Sequence, residues 1–295
     1  MCSQYLMAGT LGSDRFSDGK SAKNDNDVIY LGVVSPRGFE NTYSRYLPLS
    51  DHLSKKTGKT FKIVPLAHKN NLPYLRDGKI DFLLTNPTIA ASVIKLTDAK
   101  LIANLHKHSG YQFGGVIFAK KNTGITKLSD LSGKRVLAYK IGRSAGGYIF
   151  QTYHMKQKGT VKLSDFKWLR EAKTQDFVVE AVIRGHADVG FIRTGILEMM
   201  EDEGKINIAD LSIIDQVNNP NFKKVLSTDL YPEWYLISGS HVSTDLVEET
   251  TEVALSIKAD MDVSKLSNIR GFVKPLPLTP LIDVLTSLQI PPFDR

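Results

Sequence analysis

Apolar residues fall along this chain in short continuous runs separated by helical stretches, and that alternation predicts an α/β protein. Val28 to Val34 is a nearly unbroken apolar run, as expected of a strand buried on both faces. Tyr46, Leu49 and Leu53 then recur at helical spacing, and Gly58 closes that helix. Phe61 to Val64 reads as a second strand, a short helix runs to Gly78, and Phe82-Leu83-Leu84 reads as a third strand. Pro87 suits the first turn of the next helix, which carries Ala90, Ala91, Val93 and Ile94. Leu101 to Leu105 is another strand. This β-α-β-α-β order is that of an open sheet with helices on both faces.

The pattern restarts after the apolar run Phe113 to Ala119. Arg135 to Tyr139 is a strand, Gly142 to Gly147 a glycine-rich turn, and about Tyr148 to Lys158 a helix. A strand at Phe166 to Leu169 precedes a helix from Thr174 to Arg184 with Phe177, Val178, Ala181 and Val182 on one face. Val189 to Ile192 is a strand, and Ile196 to Glu203 a helix stopped by Gly204. Val225 to Ile237 reads as extended, interrupted by Pro232, and helices near 244–259 and 280–288 finish the chain. The expected architecture has two lobes, each an open mixed sheet flanked by helices. Lobe one comprises 28–114 and 232–295, and lobe two comprises 115–231. Two crossovers, Phe113–Ala119 and Val225–Ile237, are expected to act as the hinge.

One phrase is used twice. Gly78-Lys79-Ile80-Asp81-Phe82 recurs as Gly185-His186-Ala187-Asp188-Val189, each closing a helix and launching a strand. Eight residues past each glycine stands a polar group, Asn86 in one copy and Arg193 in the other. Two like units with polar groups at the same offset predict two like lobes facing one another, with a ligand between.

Composition narrows this little. The chain has 295 residues, 42% hydrophobic and 23% charged, ordinary values for a globular protein. Its one cysteine, Cys2, rules out an intramolecular disulfide. The net charge is +7, from 38 basic and 31 acidic residues, with no run of five or six Lys/Arg to suggest a nucleic-acid partner. No stretch of 18 apolar residues and no apolar signal-peptide core are present. Residues 1–27 are rich in Ser, Gly, Asp, Asn and Lys and read as a flexible tether. Cys2 at its head has two readings: a lipidated end, as in a mature bacterial lipoprotein, or an unremarkable terminus.

Candidate chemistry lies where strands end, because open α/β sheets bind ligands beyond the carboxyl ends of their strands. Those ends carry Arg37; Asn86; Arg143-Ser144-Ala145-Gly146; and Arg193-Thr194. Guanidinium forks and helix N-termini both suit oxyanions, so the sum is an anion site. Each residue also has a plain reading: Ser144 and Asn86 as N-caps, Arg37 and Arg193 as exposed loop arginines. Tyr231 is a further candidate that either lines the cleft or packs the hinge, and Trp234 is expected in hinge packing. No G-x-S-x-G, H-E-x-x-H, C-x-x-C or G-x-x-x-x-G-K-[ST] occurs, so no catalytic residue and no cofactor is expected. An enzyme on this scaffold would have to use Glu198 or Glu233, neither with an evident partner. His106 and His108 lack a third ligand at recognisable spacing and are expected as exposed loop histidines rather than a metal site.

These phrases resemble a known family. Gly78–Phe82 with Asn86-Pro87, the stretch Ile125 to Val136, Ser144-Ala145-Gly146-Gly147-Tyr148 and Gly185–Val189 are similar to the phosphonate/phosphate-type solute-binding proteins of bacterial ABC transporters. That family usually has a Ser-Thr-Ser-Gly-like turn at the third of these, of which Ser144 and the glycines are present, with Ala145 in place of a hydroxyl. Arg37-Gly38, Phe113–Phe118, Arg193-Thr194 with Glu198, Gly204-Lys205-Ile206 and Leu230–Trp234 resemble the periplasmic sensor domain of tetrathionate-sensing histidine kinases. The resemblance implies the type II periplasmic-binding-protein fold and a small oxyanion as ligand, phosphonate/phosphate-like or a sulfur oxyanion. It further implies Asn86, Ser144, Arg193 and Thr194 as contacts, a periplasmic or extracytoplasmic location, and a membrane permease or a sensor kinase as partner. On this reading Arg193→Ala abolishes ligand stabilisation while leaving the unliganded melting temperature within a few degrees.

Overall fold

The computed structural model describes residues 28–294, so the tether at 1–27, with Cys2, lies outside the described residues. In chain order the elements are β1 (Val28–Val34), α1 (Phe39–Thr57), β2 (Thr60–Leu66), α2 (Asn71–Arg76), β3 (Phe82–Thr85), α3 (Pro87–Leu96), β4 (Lys100–His106), β5 (Gln112–Phe113), β6 (Gly115–Lys120) and β7 (Arg135–Tyr139). Then follow α4 (Phe150–Lys158), β8 (Trp168–Ala172), α5 (Gln175–Ile183), β9 (Val189–Arg193), α6 (Ile196–Asp202), β10 (Leu211–Ile214), β11 (Tyr231–Pro232), β12 (Tyr235–Ser238), α7 (Thr244–Ser256), α8 (Asp262–Ser267), β13 (Gly271–Val273) and α9 (Thr279–Ser287).

The strands form two main sheets. One is six-stranded in the order β13-β4-β12-β3-β1-β2, the other five-stranded in the order β10-β6-β9-β7-β8. In each, the parallel strands come from β-α-β units, β1 beside β2 and β3, and β7 beside β8 and β9. Strands that run antiparallel enter from elsewhere in the chain: β12 between β3 and β4, and β6 between β9 and β10. The inner strands β1, β3, β6 and β9 bury nearly every residue, which accounts for their unbroken apolar runs.

The duplicated phrase has a structural cause. Asp81 Oδ2 accepts the backbone N–H of Tyr30 at 2.7 Å, and Asp188 Oδ2 accepts that of Arg135 at 2.8 Å. The two aspartate N–H groups donate in return to Tyr30 O and Arg135 O, both at 2.9 Å. Each copy pins the start of one parallel strand to its neighbour. The preceding Gly78 and Gly185 sit at φ 66° and 75°, the left-handed region that a glycine adopts without strain. The aspartates are architectural, and the ligand-facing positions lie at the other ends of these strands.

The crossovers are shorter than the sequence suggests. Residues 115–120 belong to the five-stranded sheet and 235–238 to the six-stranded one, because both are flanked by partner strands. Among the described residues a two-stranded ribbon runs between the sheets, in which Tyr231 pairs with Phe113 and Pro232 with Gln112. Phe150 packs against it, 5.4 Å from Phe113 and stacked 4.1 Å from Tyr231. Tyr231 therefore packs the ribbon, the second of its two readings. Strand β10, not expected from its short Leu211–Ile214 run, completes the second sheet.

Candidate functional site

The carboxyl ends of β1, β3, β7 and β9 face one cleft between the sheets. Much of it is closed by direct contacts. The Tyr139 hydroxyl donates to Ser35 O at 3.2 Å and lies 3.3 Å from His68 Nδ1. Burial, with Lys140 and Arg143 nearby, pushes His68 down to about 3, so this ring is neutral. The Gln175 N–H donates to Pro36 O at 3.2 Å, and the Thr88 hydroxyl to Arg143 O at 3.0 Å.

Arg37, in the loop after β1, reaches across the cleft mouth. Its Nε and Nη2 hold Asp176 at 2.8 and 2.7 Å, and its Nη1 and Nη2 hold Glu203 at 2.8 and 2.9 Å. Its side chain is 6% exposed. An arginine expected to hold ligand thus holds two carboxylates of the other sheet's helices, although its stem lines the cavity described next.

Deeper in lies a cavity of about 290 Å³ lined from both sides. Val34, Arg45, Tyr46, Lys107 and Trp234 come from the first sheet and its helices, and Arg193, Thr194, Ile196 and Met199 from the second. Five lining residues are Arg or Lys (Arg37, Arg45, Lys107, Arg193, Lys224), against one lining carboxylate, Asp202. Counting also the three non-lining acids that pair them (Asp176, Glu203, Glu233), the balance is five positive to four negative. At the floor, Glu233 is fully buried between Arg193 Nη2 at 2.6 Å and Lys107 Nζ at 3.5 Å. The Arg193 guanidinium also sits 4.4 Å over Phe113 and 5.9 Å over Trp234. Burial alone would raise the Glu233 carboxyl, but Arg193 first, joined by Lys107 when it is protonated, outweighs it and holds the group below its ordinary value.

The sequence-derived candidates separate here. Arg37, Arg193 and Thr194 line the cavity; Asn86, Arg143, Ser144, Ala145, Gly146 and Tyr231 do not. Ser144 accepts the Gly147 N–H at 3.2 Å and caps the π-helical turn Ala145–Ile149 that runs into α4. Asn86 Oδ1 caps α3 through Thr88 and Ile89, while its Nδ2 is buried without an acceptor among the described residues. The Arg143 guanidinium pairs with Glu171 at 3.3 Å. The glycine-rich turn serves packing: a Cβ on Gly146 would meet Arg193 Cβ and Gly114 O at 2.8 Å and Phe113 Cε2 at 2.9 Å. Gly146→Ala should therefore cost about 1–3 kcal/mol, read from urea unfolding; wild-type stability would show that the turn has room to shift.

Residues missed in the sequence are Arg45, Lys107 and, as site members, Glu233 and Trp234. Lys107 was within reach of the strand-end rule, because it directly follows β4. Its neighbours His106 and His108 carry the more conspicuous signal, that of a metal ligand pair. His106 packs on Tyr111 at 4.1 Å.

Comparison with known proteins agrees with this fold. Residues 31–277 match the family model described as ABC transporter, phosphonate, periplasmic substrate-binding protein. A phosphonate-binding protein from Prochlorococcus marinus, solved with methylphosphonate, superposes with a TM-score of 0.74 at 17% identity, covering 90% of this chain and 99% of that one. A binding-protein component of a phosphonate ABC transporter from Pseudomonas aeruginosa gives 0.76 at 18% identity, covering 89% and 86%. At these identities the two structures establish the type II periplasmic-binding-protein fold. The tetrathionate sensor histidine kinase TtrS of Salmonella typhimurium is 27% identical over 242 residues, 78% of this chain but only 39% of the kinase. With two open sheets facing one cleft and a family match over most of its length, the chain belongs to the periplasmic substrate-binding proteins of phosphonate-type ABC transporters.

Proposed function

We propose that this protein captures a small oxyanion, phosphonate/phosphate-like or a sulfur oxyanion, in the cavity between its two sheets and presents the closed form to a membrane permease. The sheets act as lobes, hinged at the β5–β11 ribbon. One observation carries the reading: a cavity shared by both sheets whose lining has five Arg or Lys side chains and one carboxylate. Guanidinium groups and aromatic rings at its floor favour a planar or tetrahedral anion in a site of low dielectric. Family membership supports a binding role without turnover, and Glu233, one of the two carboxylates an enzyme would have to use, is buried and paired with Arg193.

Thermal unfolding against phosphate, methylphosphonate, sulfate, thiosulfate and tetrathionate tests this. A ligand at 100 times its Kd adds about 2.7 kcal/mol to stability. At least one of these anions should raise the Tm; no shift with any of them would end the oxyanion reading.

The likeness to a sensor kinase supports a second reading, in which the same capture informs a two-component system. Retained binding in a protein that copurifies with a kinase rather than a permease would favour it. Lipid attachment at Cys2 belongs to the first reading, and mass spectrometry of the membrane-extracted N-terminus tests it.

A further inference from the structure

The cavity floor sets two basic side chains against one carboxylate, and they share it unequally. Arg193 contacts Glu233 Oε1 at 2.6 Å, whereas Lys107 stands 3.5 Å from Oε2, which also accepts the Trp234 N–H at 3.2 Å. Glu233 has no exposed surface, so a ligand meets the two basic groups and not the acid between them. Arg193 thus compensates the carboxylate, and the Lys107 amine is left over.

Among the described residues no carboxylate other than Glu233 pairs with Lys107, although Asp202 lines the same cavity. The charged groups facing Lys107 are Glu233, Arg193 at the end of β9 and Arg45 on α1. Arg45 donates to the carbonyls of Ser267 at 3.0 Å and Asn268 at 2.9 Å, so it brings a positive charge that no carboxylate among the described residues compensates. Tyr46 and His108 also line the cavity, and the Trp234 ring lies 5.1 Å from Nζ. The Lys107 side chain is only 13% exposed. Burial first, then Arg193 and Arg45, press its ammonium well below the ordinary lysine range, with Glu233 opposing.

We infer that Lys107 and Arg193 form one anion seat at the cavity floor, and that Lys107 takes up a proton from solvent as the oxyanion arrives. The inference rests on the oxyanion reading given above. On this inference the amine is neutral in the free protein; its lone pair accepts a solvent proton and becomes an ammonium, and the anion keeps its charge and all its bonds. The protein gains one positive charge, which the ligand balances. Proton uptake sets the sign: affinity falls as pH rises, between the lowered value in the free protein and the value restored by the anion.

Isothermal titration with sulfate, thiosulfate and tetrathionate, each in one charge state across neutral pH, tests this. Tris and triethanolamine are suitable buffers, because both are amines of different ionisation enthalpy and neither is an oxyanion. The apparent heat should differ between them by the heat of one transferred proton, and Kd should rise with pH by up to about tenfold per unit. Lys107→Met should weaken binding by about tenfold or more and flatten the pH slope. Its Tm should be unchanged or raised, because an apolar isostere replaces a buried amine. Should only methylphosphonate bind, the same comparison is made above its own titration, at about pH 9. Wild-type affinity in Lys107→Met, or a flat pH slope with equal heats in both buffers, overturns the seat while leaving oxyanion capture standing. Absence of binding by these four anions and by phosphate removes both.

Discussion

Glu233→Ala should cost about 3–5 kcal/mol of folding stability, the largest single effect expected in this protein. The substitution leaves the Arg193 guanidinium, 11% exposed, buried without a counter-charge beside Phe113 and Trp234. It also removes the acceptor for the Trp234 N–H. Breaking a buried pair on one side is worse than never having had it, because the remaining charge keeps its desolvation cost and loses its partner. Urea unfolding of Glu233→Ala beside wild type gives the number, and a difference under about 1 kcal/mol would mean that the pair adds nothing. The same geometry changes what Arg193→Ala should do. Read from sequence, that variant keeps its melting temperature to within a few degrees. In the structure it strands the fully buried Glu233 with only Lys107, 3.5 Å away, so stability should fall together with anion binding.

Arg37→Ala should open the cleft. Four charge-assisted hydrogen bonds from one guanidinium join the loop after β1 to Asp176 and Glu203. Asp176 and Glu203 are 19% and 35% exposed, so water recovers part of the loss, and the net penalty for closure is about 1–3 kcal/mol. That is about a five- to hundred-fold shift toward the open form. Small-angle scattering should show a larger radius of gyration for the variant without ligand, and anion affinity should fall by a similar factor. Equal radii and equal affinities would remove the closing role from Arg37.

The pH dependence of this contact follows from Glu203. Its hydrogen bonds to Arg37, assisted by Lys205 and opposed by burial, hold the carboxyl down to about 2. A depressed carboxyl contributes fully above its ordinary value, about 4.3, and loses that contribution as pH falls toward 2. Scattering from the wild type should therefore be constant from about pH 5 to 9 and show opening only under stronger acid.

The two β-α-β units were legible because each strand's apolar run is the direct consequence of burial on both faces. The duplicated Gly-x-x-Asp phrase was legible as a repeat, although its role was not. Asp81 and Asp188 each accept a backbone N–H from a strand more than fifty residues earlier, a pairing that local pattern does not encode. The strand-end rule found Arg37, Arg193 and Thr194, which line the cavity, and also Ser144 and Asn86, which cap helices. A cap and a ligand contact use the same residue types at the same place, so composition does not separate them.

By itself the order of residues determined two α/β lobes, a cleft between strand ends and an excess of positive groups around it, because periodicity and turn chemistry are local. Which arginine meets a carboxylate and which meets the cavity was decided only by the packing of the two sheets. Arg37 with Asp176, and Lys107 with Glu233 and Arg193, are brought together from segments 40 to 139 residues apart. Charge compensation depends on distance in space and on exclusion of water, and neither is a property of neighbouring positions in a chain.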